Sequence, residues 1–261
     1  MEKIPQDIIG DIALLKFPRR TPWLIKKLKA RKFLIEHKTL KTVLEKTEGF
    51  SGELRTLKTK HLAGIKTKEA TYKENDCIFK YNVDESYFSP RLSNERKVIA
   101  DEVVKISKKK GTKILVMFAG ISPYPIVIAK KLKQSGKQIT IISNELNKKA
   151  NIAGRKNIVL NKLQNIITLI EGDAKKLSTK LKEKFDIILM PRPNLEDTFL
   201  ETALKLSKKG TIIFYHGFGT KEEVLNEIEK NTRNKIEKIS IRKAGDIGPY
   251  KYRWQARFKV K

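Results

Sequence analysis

Two acidic residues that follow predicted strands in the middle of the chain could bind a ligand together. Glu145 comes shortly after the apolar stretch 138–143, and Asp173 comes shortly after the stretch 166–170. A third apolar stretch, Ile114–Met117, leads into a small-residue turn and then a helical pattern. In a doubly wound parallel sheet, ligands bind outside the carboxyl ends of the strands. The spacing therefore predicts a ligand site at this edge, although an acid at a strand end can also be only a helix cap.

The turn after Ile114–Met117 restricts the kind of ligand. A dinucleotide site carries the pattern G-x-G-x-x-G, whose glycines let the backbone approach a pyrophosphate. Residues 119–123 read A-G-I-S-P, which lacks that glycine set, and proline removes an amide donor. S-adenosylmethionine, which has a ribose and an adenine but no phosphate, fits better. Glu145 could accept hydrogen bonds from both ribose hydroxyls, and Asp173 could accept one from the adenine amino group.

The order of predicted elements indicates an α/β fold, with a Rossmann-like domain that follows a small α+β module. Five βα units and a closing antiparallel hairpin predict a seven-stranded sheet with a mixed edge. Ser93 or Asn94 is the predicted cap of the first helix. The predicted strands are Ile114–Met117, Gln138–Ser143, Ile166–Ile170, Phe185–Met190, Thr211–Tyr215, Ile236–Arg242 and Tyr252–Val260. The predicted helices are Glu95–Lys108, one that begins at Pro123, Lys148–Leu160, Thr198–Leu206 and Lys221–Asn231.

Residues 1–86 are predicted to form the small module, and residues 87–261 the Rossmann-like domain. A short strand at Gly10–Phe17 precedes a basic segment, Trp23–Leu44, whose apolar residues have roughly helical spacing. We interpret this segment as an amphipathic surface helix, with a dedicated RNA-binding helix as the alternative. Glu53–Val83 shows strand-like runs in which apolar residues alternate with basic ones. The module therefore has one strongly basic face.

The net charge of the chain indicates a polyanionic partner. Lysine and arginine number 57 against 29 acidic residues, so the formal net charge is +28. A bias toward charged residues, as in proteins from hot habitats, would enrich lysine and glutamate together. The excess therefore favours nucleic acid.

Cysteine, histidine and hydropathy patterns exclude several other classes. The single Cys77 rules out a disulfide framework, and His37, His61 and His216 lack the spacing of metal ligands. We expect no metal. No apolar run reaches the roughly 20 residues of a membrane span, and no signal peptide opens the chain. These features predict a cytoplasmic monomer.

Several motifs resemble those of the archaeal and eukaryal tRNA guanine-37 N1-methyltransferases, in the same order and over nearly the whole chain. They are Tyr87–Arg96 (Y-F-S-P-R-L-S-N-E-R), Met117–Gly120, Asn157–Lys162, Gly172-Asp173, Met190–Pro193 followed by Phe199-Leu200, and Gly245–Tyr250 before Arg253-Trp254. The resemblance implies a class I S-adenosylmethionine methyltransferase domain. It also implies that this domain and the small module grip the anticodon arm of tRNA together.

The resemblance implies cofactor contacts from Phe118, Gly120, Glu145, Asp173 and Met190. The reaction would methylate N1 of the guanine beside the anticodon, and charge builds on O6 as the N1 proton leaves. A cation near O6 would stabilise that charge in the transition state.

We predict three residues at the base. Arg91 is the expected cation, and its alternative role is an ion pair that fixes the domain junction. Tyr124 is expected to pack against the base or the methyl group, or else to be a core aromatic residue. Pro191 is expected at the floor of the base pocket. The general base cannot be chosen from the sequence.

The chain departs from the family pattern at informative places. Val116 stands where many members have an acid, and Ser122 where they have a glycine. Pro191 replaces the asparagine of an Asn-Leu-Pro motif. This version resembles an archaeal subgroup of wyosine biosynthesis, some members of which methylate both guanine-37 and C7 of 4-demethylwyosine. The chain is also expected to lack a further N-terminal domain that contacts the tRNA elbow in full-length relatives.

Two other functions remain open. A sister transferase moves the aminocarboxypropyl group of the same cofactor, but it tends to have Gly-Asn where this chain has Arg91-Leu92. A non-catalytic tRNA-binding protein would keep the basic surface and lose affinity for the cofactor.

Overall fold

The computed structural model of the chain describes residues 4–49, 52, 56–237, 239–248 and 250–261. Glu53, Leu54 and Arg55, at the start of the predicted strand-like region, lie outside the described residues, as does Pro249 in the last motif. Among the described residues, every helix is too short or too polar to cross a lipid bilayer.

The N-terminal part forms a four-stranded sheet in the order β1-β2-β3-β4. Its strands are β1 (Gln6–Ile9), β2 (Ile12–Leu15), β3 (Thr42–Lys46) and β4 (Thr59–Gly64). Helix α1 (Trp23–Glu36) crosses from β2 to the parallel strand β3 and packs on β3 and β4. The predicted helical segment Trp23–Leu44 is therefore too long, because its last residues are buried as a strand beside β2. Apolar spacing alone cannot distinguish such a short buried strand from the end of a helix.

The C-terminal part is built on the predicted seven-stranded sheet, with the order β12-β13-β11-β10-β7-β8-β9. Its strands are β7 (Lys110–Val116), β8 (Gln138–Glu145), β9 (Ile167–Glu171), β10 (Phe185–Met190), β11 (Ser207–Gly219), β12 (Ser240–Gly248) and β13 (Lys251–Lys259). Strands β7 to β11 are parallel, whereas β13 is antiparallel to β11 and to β12. The mixed edge is thus confirmed.

Helices cover both faces of this sheet. They are α2 (Ser93–Ile106), α3 (Pro123–Gln134), α4 (Lys148–Leu160), α5 (Leu177–Lys180), α6 (Leu200–Lys205) and α7 (Lys221–Thr232). Along β7, Ile114 and Val116 belong to one core cluster while Leu115 belongs to the other. A strand covered on both faces has to be apolar at every position, which explains the unbroken run in the sequence. The fold is a class I Rossmann-like fold, as predicted.

Several predicted boundaries differ from the structure. Strand β7 begins at Lys110 rather than Ile114, and β11 spans Ser207–Gly219 rather than Thr211–Tyr215. Strand β12 begins at Ser240 rather than Ile236, which makes only an isolated bridge with Val260. Neither Ser93 nor Asn94 caps α2, because a 3₁₀ turn at Pro90–Leu92 runs directly into the helix. At a sheet edge and at a continuous turn, the sequence carries little signal for a sharp boundary.

A β-hairpin, β5 (Glu69–Glu74) and β6 (Cys77–Asn82), joins the two parts. Asparagine side chains of α4 hold its second strand: Asn157 Oδ1 accepts from the Lys80 N–H at 2.8 Å, and Asn161 Oδ1 from the Ile78 N–H at 2.9 Å. The Asn157–Lys162 motif thus attaches the hairpin to α4. The domain division after residue 86 stays a prediction.

The order in which successive strands join the parallel sheet reverses between β7 and β10. From β7, strands β8 and β9 follow on one side, and β10 and β11 on the other. Loops leaving β7 and β10 therefore diverge and open a crevice at their carboxyl ends.

Candidate active site

A pocket occupies this crevice and contains most of the predicted site residues. Its lining includes Phe118, Gly120, Tyr124, Glu145, Asp173 and Pro191. The β7 loop supplies the first two, α3 supplies Tyr124, and the ends of β8, β9 and β10 supply the others. The structure thus brings together side chains that are up to 73 positions apart in the chain, as the strand-end argument predicts.

Glu145 bridges two loops at the centre of the pocket. Its Oε2 accepts a hydrogen bond from the Gly120 N–H at 2.6 Å, and its Oε1 accepts one from the Asn147 N–H at 2.8 Å. Burial raises the pKa of the carboxyl, and these backbone hydrogen bonds offset the rise only in part. Each carboxylate oxygen has more than one lone pair, so a second donor can still bind to it. Gly120 has φ +57°, a left-handed conformation that costs glycine little.

Asp173 caps a turn and also lines the pocket. Its Oδ1 accepts from the Lys175 N–H at 2.9 Å and so caps the 3₁₀ turn Ala174–Lys176. The residue also lines the pocket beside the end of β9. The adenine-binding role of Asp173 stays a prediction.

An apolar wall is formed by two aromatic residues with unusual backbone conformations. Phe118 and Phe199 have φ of +58° and +57°, and their ring centroids lie 4.8 Å apart in an edge-to-face arrangement. Non-glycine residues adopt this conformation rarely, and such strain is concentrated at functional sites. Both rings line the pocket and offer a surface for a flat apolar group such as an adenine.

Tyr124 and His216 lie together at the inner end of the pocket. Tyr124 is buried, and its hydroxyl has no hydrogen-bond partner among the described residues. Its ring centroid lies 5.9 Å from that of His216, which also lines the pocket. A buried hydroxyl without a partner is costly, so a bound ligand that reaches it would be stabilised.

A buried acid, which sequence reasoning treated only as a first-turn residue of the helix, supports His216. Glu95 Oε1 lies 3.3 Å from His216 Nε2, and its carboxylate accepts hydrogen bonds from Arg242 at 2.6 and 3.0 Å. Burial alone would raise the pKa of the Glu95 carboxyl, but hydrogen bonds from His216 and Arg242 outweigh it and lower that pKa. Burial lowers the pKa of His216, so the imidazole is neutral near neutral pH. A neutral ring that donates Nε2–H to Glu95 keeps its other nitrogen as a proton acceptor.

Arg91 and Met190 lie outside the pocket lining. The Arg91 side chain is 83% exposed and pairs with Asp7 of β1 at 2.7 Å, as in the alternative role considered for it. Its neighbours Tyr87 and Leu92 line the pocket, so Arg91 stands at the pocket's edge. The catalytic role of Arg91 stays a prediction. Met190 is fully buried in the core beneath the end of β10.

Arg192 fixes the loop after β10 by hydrogen bonds to that loop and to α7. Its guanidinium is buried and donates to the Leu195 carbonyl at 2.8 Å and to Glu227 of α7 at 2.7 Å. Pro191 and Pro193, on either side of it, line the pocket. Because proline has no N–H, these two residues shape the pocket without offering backbone donors. Both Arg192 and Arg253 of β13 line the pocket. No role was predicted for Arg253 from the sequence.

The residues present fit S-adenosylmethionine. Two carboxylates can accept from hydroxyl and amino groups, an apolar wall can hold an adenine, and the loop lacks the glycine set of a pyrophosphate site. Within the described part of the chain, no cluster of three metal-ligating side chains is present. The arrangement can therefore bind such a cofactor beside a buried proton acceptor.

Comparisons with known proteins agree with this geometry. The TRM5/TYW2 methyltransferase domain matches residues 70–246. The chain is 34% identical to "tRNA (guanine(37)-N(1))/4-demethylwyosine(37)-methyltransferase Taw22" of Nanoarchaeum equitans, covering 95% of this chain and 96% of that protein. It is 29% identical to "tRNA 4-demethylwyosine(37)-methyltransferase Taw21" of Saccharolobus solfataricus, covering 94% of this chain and 90% of that protein.

A solved structure gives the same result for the fold. The crystal structure of Trm5b from Pyrococcus abyssi superposes with a TM-score of 0.81 at 29% identity, covering 98% of this chain and 75% of that one. The resemblance carried by the sequence motifs is thus confirmed, and the chain belongs to the TRM5/TYW2 methyltransferase family.

Proposed function

We propose that the chain is an S-adenosylmethionine-dependent tRNA methyltransferase. It forms 1-methylguanosine at position 37 and also methylates C7 of 4-demethylwyosine. The observation that carries this proposal is that one pocket is lined by the ribose-type acceptor Glu145, by Tyr124 and by His216, whose Nε2 lies 3.3 Å from the buried Glu95. The similarity to Taw22, whose name includes both activities, supports the dual substrate.

In this proposal the chain holds the cofactor with residues of the β7, β8 and β9 ends. Glu145 accepts the ribose hydroxyls, Asp173 accepts the adenine amino group, and Phe118 covers the ring. Met190 supports the pocket from the core. When bound, S-adenosylmethionine supplies an electrophilic methyl group. The closed apolar wall excludes water, which strengthens the hydrogen bonds at the site.

The protein's contribution to the reaction is the removal of a proton from guanine N1. Neutral His216, held by Glu95, would accept that proton through its free ring nitrogen. The bound cofactor would supply the methyl group and leave as the thioether S-adenosylhomocysteine. Tyr124 packs against the base. Arg91, once released from Asp7, and the pocket-lining Arg253 are the cations that can stabilise charge on O6. An anticodon-loop base can turn outward into such a pocket at low cost.

The decisive experiment is incubation with unmodified tRNA and labelled cofactor, followed by mass analysis of the nucleosides. We expect 1-methylguanosine. An aminocarboxypropyl adduct, which is much heavier, would identify the sister transferase instead. Calorimetry that detected no affinity for S-adenosylmethionine would indicate a non-catalytic RNA-binding protein.

The binding of tRNA should depend steeply on salt. The net charge of +28 implies that several lysines and arginines contact phosphates and release counterions on binding. Affinity measured by fluorescence anisotropy should fall strongly between low and moderate salt. An affinity that did not change with salt would argue against a nucleic-acid partner.

The role of Glu145 can be tested by calorimetry with the matched control Glu171. The two acids are paired in register at the ends of β8 and β9, but Glu171 is exposed. Glu145→Ala should weaken binding of S-adenosylmethionine by about 1.5–3 kcal/mol, the range for hydrogen bonds to a charged group. Glu171→Ala should leave the dissociation constant unchanged. Equal effects of both substitutions would remove Glu145 from the site.

Pro191 should influence which base is methylated. A proline floor offers neither an N–H nor a side-chain hydrogen bond, so it is less specific for guanine than an asparagine and leaves room for a tricyclic base. Pro191→Asn should therefore shift the product ratio toward 1-methylguanosine when both RNA substrates are supplied. If wild type forms no C7-methylated product from RNA that contains 4-demethylwyosine, only the N1 activity remains.

A further inference from the structure

A second cavity of about 400 Å³ adjoins the active-site pocket. Tyr87 lines both of them, so the two spaces are neighbours. The cavity lies between β1 and the motif Tyr87–Arg96, and its volume is within the range of small-ligand sites, roughly 300–1,000 Å³. None of the functions assigned so far uses it.

The cavity has an apolar floor and a charged rim. Ile8, Leu14, Phe88 and Pro90 supply apolar lining, and Ile8 remains 42% exposed although it is a large aliphatic residue. An exposed aliphatic side chain in a concave site is stabilised when a flat apolar group covers it. Such a floor suits a nucleobase, which has an apolar face whatever its identity.

The rim consists of Asp7, Lys46 and Arg91. The Asp7 carboxylate accepts hydrogen bonds from Lys46 and, at 2.7 Å, from Arg91. Burial alone would raise the pKa of Asp7, but Lys46 and Arg91 outweigh it, so the carboxylate stays ionised and acceptor-only. Its partner Arg91 is largely in solvent, and an ion pair of that kind contributes little to stability.

A base that enters this cavity meets an acceptor that it can use. Every base of RNA carries an N–H donor, either amino or imino, on its Watson–Crick edge, and single-stranded RNA is commonly read along this edge. Asp7 can accept from that edge while Lys46 keeps its charge balanced. The guanidinium of Arg91 would then be free to leave Asp7. Leu92, the next residue in the chain, lines the active-site pocket.

We propose that this second cavity binds the base of a nucleotide next to the target nucleotide, and that this base replaces Arg91 on Asp7. The inference rests on the proposed RNA substrate and adds a role for the cavity. The released Arg91 turns toward the first pocket, where charge develops on the target base. Asp7 therefore couples recognition of the neighbouring nucleotide to completion of the active site.

Fluorescence tests the binding half of the proposal. Two tRNAs carry 2-aminopurine, one on each side of position 37, and each is titrated with the full-length chain. One of them should change its emission on binding, because the probe stacks on the apolar floor. Ile8→Asp should abolish this change, whereas the matched control Ile35→Asp, on the exposed face of α1, should preserve it. No change at either position with wild type would overturn the proposal.

Methyl transfer tests the coupling half. With tRNA that is abasic at the position identified by fluorescence, the wild-type rate at saturating RNA should fall by up to about fivefold, which is the cost of releasing Arg91 from an exposed ion pair without the base. Asp7→Ala should restore most of that rate, because Arg91 is no longer held. A structural role of Asp7 predicts the opposite, a further loss on both RNAs, and that result would overturn the proposal.

Two outcomes separate a failure of the proposed reaction from a failure of the coupling through Asp7. If wild type transfers no methyl group to intact tRNA while the emission change is present, the proposed reaction is wrong and the cavity remains a base site. If transfer to intact and abasic tRNA is equally fast, the reaction stands and the coupling is wrong.

Discussion

Arg91 and Arg96 lie five positions apart in one motif, and each pairs with an acid of an N-terminal strand. Arg96 donates to both oxygens of Glu74 in β5, and its side chain is 2% exposed. The rings of Phe88 and Tyr124 lie 4.9 and 5.8 Å from the guanidinium carbon. Arg91 is bound to Asp7 through one nitrogen and is 83% exposed.

The difference shows how burial separates a structural ion pair from an exchangeable one. Neither member of the Arg96–Glu74 pair can be left alone in the core, because an unpaired buried charge is strongly unfavourable. Either member of the Arg91–Asp7 pair can be solvated instead. One motif therefore fixes the hairpin to α2 at one end and carries an exposed arginine in a single-contact ion pair at the other.

The largest expected effect comes from breaking the buried pair. Arg96→Ala should lower the free energy of unfolding by about 3–5 kcal/mol, because Glu74 is left buried without a partner. Chemical denaturation measures this, with Arg91→Ala as the matched control. Replacing both partners, as in Arg96→Met with Glu74→Leu, should cost less than Arg96→Ala alone. A double variant no more stable than the single one would show that the charges themselves are required.

The second effect concerns the rate. If Arg91 stabilises charge on guanine O6, Arg91→Ala should lower the single-turnover rate of methyl transfer by about 10²–10³, the loss for one preorganised donor. The dissociation constant for S-adenosylmethionine should not change, and Arg91→Lys should recover part of the rate. A normal rate at saturating RNA with weakened RNA binding would assign Arg91 to binding or to the domain junction instead.

The sequence predicted some residues of this motif but not the long-range contacts of others. The motif itself identified Arg91 and the family, and the strand-end rule placed Glu145 and Asp173 in one pocket. The same sequence could not reveal that Glu95, between the two arginines, supports His216 and Arg242, which lie 121 and 147 positions away. Those contacts arise only because β11 and β12 fold back beside α2, and no local pattern encodes that.

The strands of the fold were also predicted with unequal success. All five buried parallel strands were located, because burial on both faces requires an unbroken apolar run. Their bounds were less accurate, since β7 and β11 continue beyond that run into polar residues. The edge strand β12 and the strand β3 were misplaced. An edge strand has one solvated side, and β3 is a five-residue strand whose apolar residues also fit the end of a helix.

A third, intermediate effect is the pH dependence of stability that comes from buried His216, the partner of Glu95. Unfolded histidine binds a proton near pH 6.5, whereas burial lowers the pKa of folded His216. The unfolded state therefore binds more protons below that pH. The free energy of unfolding should fall as pH decreases from about 6.5 toward the folded pKa, with a slope of at most about 1.4 kcal/mol per pH unit.

His216→Gln isolates this contribution. Urea denaturation between pH 7 and pH 5 should show a smaller slope for the variant than for wild type, since glutamine does not titrate. The loss at lower pH, where Glu95 is protonated, should remain in both proteins, because the folded pKa of Glu95 is also lowered. Identical slopes in this range would mean that His216 is protonated equally in the folded and unfolded states.

The smallest expected effect is the stability of the exposed pair itself. A double-mutant cycle with Arg91→Ala, Asp7→Ala and the double variant should give a coupling energy of about 0.2–1 kcal/mol, because Arg91 is largely solvated and Asp7 keeps Lys46. A coupling of this size is enough to orient Arg91 in the free protein and small enough for a hydrogen-bonding base to replace it. A coupling comparable to that of Arg96 and Glu74 would make Arg91 a second structural clamp. In that case its side chain could not leave Asp7 during the reaction, and the cation at O6 would have to be Arg253.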